Sequence, residues 1–161
     1  MVTDGAGDLV DAVFALGDDD LVRIVARVEA LDGFLHTEDG ANLLAGYKRA
    51  ANILKAEAKK HPKEADSYAE QVEPALLSAA EEKALAGALE RVKPDVASRL
   101  QAEKFEGAMT VLASLRGPVD AFFDRVLVNA EDAAVRKNRL RLLSQVQRDM
   151  AQVADFSQVS G

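Results

Sequence analysis

The stretch Val135-Arg136-Lys137-Asn138-Arg139-Leu140-Arg141-Leu142-Leu143-Ser144-Gln145-Val146-Gln147-Arg148-Asp149-Met150 decides the fold class. Wound at about 100° per residue, it gathers Val135, Leu142, Leu143, Val146, Met150 and, just beyond, Val153 on one face. Lys137, Arg141 and Arg148 fall opposite and are expected to point outward. That is a helix with a single core-facing side. Arg139 lies within the apolar face and Arg136 at its edge, so each guanidinium needs a partner.

The same period runs outward through nearly the whole chain, with no Asn-Gly or Asp-Gly hairpin signal between alternating runs. The expected fold is therefore an all-α helical bundle. A short helix near Asp8 to Leu16 stops at Gly17, and a second follows Asp18, Asp19 and Asp20, whose carboxylates suit a helix N-terminus better than a calcium loop. Thr37 caps a third helix that ends before Pro62, and 63–74 is polar and irregular. Ser78 with Glu81 matches a capping box, opening a helix that Pro94 interrupts. The next helix spans roughly Val96 to Leu115, with a break near Gln101 as the alternative, Gly117 as a left-handed cap and Pro118 starting its successor. A last helix opens near Glu131 and Asp132, and the final two are expected to pack through Phe122 or Phe123, Val126, Leu142, Leu143 and Val146. Residues 1–161 read as one domain, with 1–36 a helical lead-in.

A 48% hydrophobic share beside 29% charge fits a soluble globular chain. No apolar run is long enough for a bilayer, no secretory leader is visible, and the absence of cysteine excludes disulfides and thiolate metal sites. A cytoplasmic setting without membrane contact is the expectation. The formal charge of −7 argues against a nucleic-acid partner, but its layout does not. Lys48, Arg49, Lys55, Lys59, Lys60 and Lys63 face only Glu57 between Ala41 and Lys63, and Arg136, Lys137, Arg139, Arg141 and Arg148 form a second basic island. Lys48, Asn52, Lys55 and Lys59 share one helical stripe, which reads either as a solvated face or as a contact surface.

No catalytic constellation is visible. His36 and His61 stand alone at helix ends, no phosphate loop is present, and the serines lack a nucleophile-elbow setting. No catalytic, cofactor-binding or metal-ligating residue is expected.

The order Arg116-Gly117-Pro118-Val119-Asp120-Ala121-Phe122-Phe123-Asp124, then Arg136-Lys137-Asn138-Arg139-Leu140-Arg141-Leu142-Leu143 and Val153-Ala154-Asp155-Phe156-Ser157, resembles the end of bacterial heterotetrameric glycyl-tRNA synthetase beta subunits. Tyr47-Lys48-Arg49-Ala50-Ala51-Asn52-Ile53-Leu54 resembles the family's Phe-Lys-Arg-Val-x-Asn-Ile-Leu. The resemblance implies a C-terminal fragment of a longer beta subunit, folded as a helical anticodon-binding domain similar to that of arginyl-tRNA synthetases. Its Asp-Ala-Leu-Arg signature is degenerate here, as Asp132-Ala133-Ala134-Val135-Arg136. The resemblance also implies tRNA(Gly) as partner, an alpha subunit where the holoenzyme uses ATP and glycine, and no catalysis in this part.

On that footing the candidate tRNA-binding residues are Lys48, Arg49, Asn52, Lys55, Phe122, Phe123, Asn129, Arg136, Lys137, Arg139 and Arg141. Adjacent positions cannot share one helix face, so one of Phe122 and Phe123 packs while the other offers a stacking platform; both packing is the plainer alternative. Asn129 either reads a base edge or caps the last helix. Arg139 either pairs with Asp120 or Asp124 or reaches RNA, the pairing being preferred. A helical protein-interaction module without RNA contact is the rival reading.

Overall fold

The computed structural model describes residues 2–159, with side chains from Gly7 onward. Its described residues contain helices and no strands: α1 (Val2–Phe14), α2 (Leu21–Leu35), α3 (Glu38–Lys60), α4 (Ala80–Gln101), α5 (Phe105–Ala113), α6 (Arg116–Arg125) and α7 (Ala133–Ala151). Short 3-10 turns occupy Ala65–Ala69 and Pro74–Leu76 in the connection before α4, and Phe156–Gln158 after α7.

Local chemistry sets most boundaries. Gly17 turns the chain between α1 and α2 at φ +84°, a left-handed conformation open to glycine at little cost. Asp20 accepts from the Val22 and Arg23 amides at 3.0 and 3.3 Å, and Thr37 Oγ1 accepts from Gly40 N at 3.0 Å. Asp132 caps α7 through the Ala134 and Val135 amides. Each cap satisfies amides that have no intrahelical partner.

Three boundary expectations are corrected. α4 runs unbroken through Pro94, because the proline sits on the exposed side while Val92 and Val96 are buried and hold both halves to the core. Gly117 is no left-handed cap: α6 starts at Arg116, and Pro118 falls in its first turn, where an amide would have had no helical partner. The carboxylate opening α4 belongs to Glu82 rather than Glu81, accepting from Ala79 N and Ser78 Oγ at 3.0 Å each.

α3 and α4 form the centre. α3 packs on α2, α6 and α7, and α4 packs on α5, α6 and α7, so α6 and α7 are joined chiefly through these two rather than against each other. Phe122, Val126, Leu142, Leu143 and Val146 are all buried, but in this shared core rather than in a private α6–α7 seam. α1 docks on α2 and on the closing turn, where Asp155 N donates to the Ala12 carbonyl at 3.0 Å.

The outward face expected for α7 is also corrected. Leu140, to one side of the apolar face, is fully buried, because the connection at 64–77 lies across that side of the helix. Arg141 is covered with it, while Arg148 remains exposed.

Candidate functional site

The arginines of the last helix come first, because their partners determine which surface remains for a ligand. Arg136 Nη2 donates to both oxygens of Glu64 at 2.8 and 3.0 Å. Asn138, fully buried, clamps the backbone of Glu73: the Glu73 amide donates to its Oδ1 at 2.7 Å, and its Nδ2 donates to the Glu73 carbonyl at 3.1 Å. Arg139 Nη2 donates to the fully buried Glu82 at 3.0 Å, and its Nη1 donates to the Leu127 carbonyl. Arg141 donates to the Ser67 carbonyl at 3.0 Å and to Glu70 at 3.3 Å.

One short helical segment therefore fastens residues 64–82 to α7. Asp120 and Asp124 play no part in holding Arg139; the partner is Glu82, which the fold brings in from α4. The Arg136 hydrogen bond holds the Glu64 carboxyl below the usual glutamate range, and the same bond raises Arg136. For Glu82, burial pushes the carboxyl upward, but donors from Arg139, Ala79 and Ser78 outweigh it and the net direction is down. A guanidinium so engaged has little left for phosphate, so Arg136, Arg139 and Arg141 leave the candidate contact set. Phe122 leaves it too: it is wholly buried and cannot receive a stacked base.

The remaining candidates have different surroundings. Phe123 is half-buried, meets Phe122 edge-on at 5.9 Å between ring centroids, and has the Arg49 guanidinium 4.4 Å above its face. Both line an open groove of about 520 Å³ between α3 and the segment that leaves α6. Ile53 and Lys60 continue the α3 wall; Val126 and Asn129 belong to the other. Asn129 is exposed and caps nothing, since Asp132 serves that role. Arg139 is tied to this groove only indirectly: by holding the Leu127 carbonyl it positions the loop that carries Asn129.

Lys48, Asn52 and Lys55 lie on α3 outside the groove lining, with Lys48 half-buried and the other two exposed. Lys137 is half-buried; none of its neighbours in the Arg136–Arg141 fastening bonds to it. The groove-facing stripe of α3 is Arg49, Ile53, Ala56 and Lys60, rotated by about one residue, or 100°, from the Lys48 stripe. Sequence reasoning missed Ile53, Glu57 and Lys60. The spacing of Arg49 to Lys60 was visible, but the opposing loop that makes it one wall of a groove was not.

Glu57 is the unusual member of this wall. Its side chain is only 5% exposed, neither carboxylate oxygen has a hydrogen-bond partner, and its ion-pair contact is Lys60 Nζ at 3.6 Å. Among the described residues, no group of three or more His, Asp or Glu is placed to hold a metal, and no helix is long and apolar enough to cross a membrane. The groove thus offers an aromatic face, a guanidinium, an amide and a covered carboxylate, which suit stacking and hydrogen bonding to a planar ligand rather than bond making.

Residues 43–156 match the family model described as DALR anticodon binding domain, which takes in the groove and the α7 fastening and leaves out α1 and α2. The chain is 63% identical over 154 residues to the glycine–tRNA ligase beta subunit of Phenylobacterium zucineum (strain HLK1), covering 96% of this chain and 22% of that protein. It is 54% identical over 156 residues to the corresponding subunit of Rhodospirillum centenum (strain ATCC 51521 / SW), covering 96% of this chain and 21% of that one. The chain spans about a fifth of the length of these curated relatives.

Proposed function

This chain belongs to the DALR anticodon binding domain family, and from that premise we propose that its α3–α6 groove receives an unstacked base of the tRNA(Gly) anticodon loop. One observation carries the reading: Arg49, Phe123 and Asn129 converge on one open groove from separate elements. Phe123 supplies the stacking face, Asn129 a donor and acceptor for a base edge, and Arg49 a charge that serves either the base plane or a neighbouring phosphate. Lys48, Asn52, Lys55 and Lys137 provide phosphate contacts that position the loop without reading its sequence.

In this reading 1–161 is one domain of a glycine–tRNA ligase beta subunit, and it works in the cytoplasm. It selects tRNA, while an alpha subunit activates glycine with ATP. The relatives' shared name and their high identity across almost all of this chain support that assignment.

The test is a titration of the complete beta subunit with tRNA(Gly) and with the same tRNA carrying a substituted anticodon. The expected result is weaker binding of the substituted RNA, and a further loss for tRNA(Gly) when Phe123→Ala or Arg49→Ala removes a groove wall. Each stacked base is worth about 1–3 kcal/mol. Equal binding of both RNAs by a folded wild-type protein would remove the anticodon-reading role and favour a helical interaction module.

A further inference from the structure

We propose that Glu57 selects the base: its carboxylate accepts a hydrogen bond from the N4 amine of a cytosine stacked against Phe123. The inference rests on the anticodon reading above and adds to it the identity of the base and of the residue that chooses it.

The argument begins with a cost. A buried carboxylate with no hydrogen bond on either oxygen is an expensive feature, and each such group calls for an explanation. Lys60 compensates only in part. Its Nζ is 3.6 Å from Oε2, beyond good hydrogen-bond length, and its side chain is 61% exposed, so it lies over the carboxylate as a loose cover. Buried Tyr68 feels the Glu57 charge but turns toward Glu64, and no hydrogen bond joins it to Glu57. Within the fold, Glu57 also feels the Arg136 charge but accepts no hydrogen bond, and it stands in the wall of the groove that holds Phe123.

Ionised glutamate only accepts, so a fitting ligand presents an N–H at its edge. Cytosine, adenine and guanine do so through an exocyclic amine; uracil, whose N–H is on the ring N3, places its O4 where cytosine has its amine, setting acceptor against acceptor at that position. The codon separates the three amine-bearing bases. Glycine codons begin with two guanines, so their anticodons end in two cytosines. The ring N3 and O2 of cytosine are acceptors, and the groove supplies donors for them from Lys60 and Asn129. Lys60 then swings from its loose contact with Glu57 to the nucleotide, and the amine takes its place on the carboxylate.

The test uses the complete beta subunit and two changes, one on each partner. Replacing either anticodon cytosine by uridine, or by pyrimidin-2-one, which lacks only the 4-amine, should weaken wild-type binding about 10- to 100-fold at the position that enters the groove, the range of a charge-assisted hydrogen bond. In Glu57→Gln, whose amide can turn a donor toward O4, cytosine and uridine should bind within about threefold of each other. Tyr68→Phe should leave the cytosine preference intact. The pyrimidin-2-one experiment leaves the protein untouched, so it decides the matter even if Glu57→Gln folds poorly. Cytosine and pyrimidin-2-one binding equally at both positions would overturn the proposal, as would a folded Glu57→Gln that keeps the full preference. A wild-type protein that binds tRNA(Gly) and discriminates other anticodon changes would meanwhile keep the anticodon reading; loss of all discrimination would overturn both.

Discussion

At the scale of single residues, the Arg139–Glu82 pair is the most consequential contact. Glu82 is fully buried, so truncating its partner leaves a charge without compensation. Arg139→Ala is expected to destabilise by about 3–5 kcal/mol, read as a fall in Tm of roughly 6–20 °C. Arg139→Lys should recover little, because one ammonium cannot serve the Glu82 carboxylate and the Leu127 carbonyl in the geometry of a fork. An unchanged melting curve for Arg139→Ala would mean that the pair is not structural. Phe123→Ala carries the opposite signature: with a half-buried ring at a groove, tRNA affinity should fall by more than stability does. The need of Arg136 and Arg139 for partners was legible, because both fall on or beside an apolar helical face. Which carboxylates would meet them was not, since Glu64 and Glu82 are far away in sequence and arrive only through the path of the chain.

At the scale of elements, the connection between α3 and α4 depends on carboxylate charge. The folded-state pKa values of Glu64 and Glu82 lie below their ordinary values, so their contribution is fully present above the unfolded value of about 4.3 and is lost as pH falls through the depressed folded values. Between neutral pH and about pH 5, amide protection over 61–79, corrected for the intrinsic pH dependence of exchange, should hold steady; further acidification should free this segment while most helical circular dichroism persists. Uniform loss of protection over all helices at the same pH would contradict the fastening role. α4 permits a second prediction. Pro94 deprives the Glu90 carbonyl of its helical donor on the exposed side, so Pro94→Ala should stabilise the protein by about 1–3 kcal/mol in denaturant melts; a destabilised variant would show that the proline is needed there. Helix starts at Asp20, Thr37 and Asp132 were legible because capping is local. The Pro94 and Gly117 boundaries were misread because tertiary burial of Val92 and Val96, and a corner made by other residues, overrode local propensity.

At the scale of the whole molecule, an acidic chain keeps a run of cations along α3, whereas Arg136, Arg139 and Arg141 of the second basic island are spent on internal carboxylates. The all-α class and the family were readable from periodicity and ordered motifs. The groove was not, since it exists only where the loop carrying Asn129, held by Arg139, comes beside the Arg49 stripe. The motif around Arg136, Asn138 and Arg139 is architectural in its contacts, and the proposed recognition falls to the α3–α6 groove. The most direct test places a photo-cross-linking benzoylphenylalanine at Phe123 in the complete beta subunit, irradiates it with tRNA(Gly), and maps the attached nucleotide. Cross-links confined to the anticodon loop, and suppressed by excess unlabelled tRNA(Gly), are the predicted result; attachment to the acceptor stem, or none from a folded protein that still binds tRNA(Gly), would contradict the account.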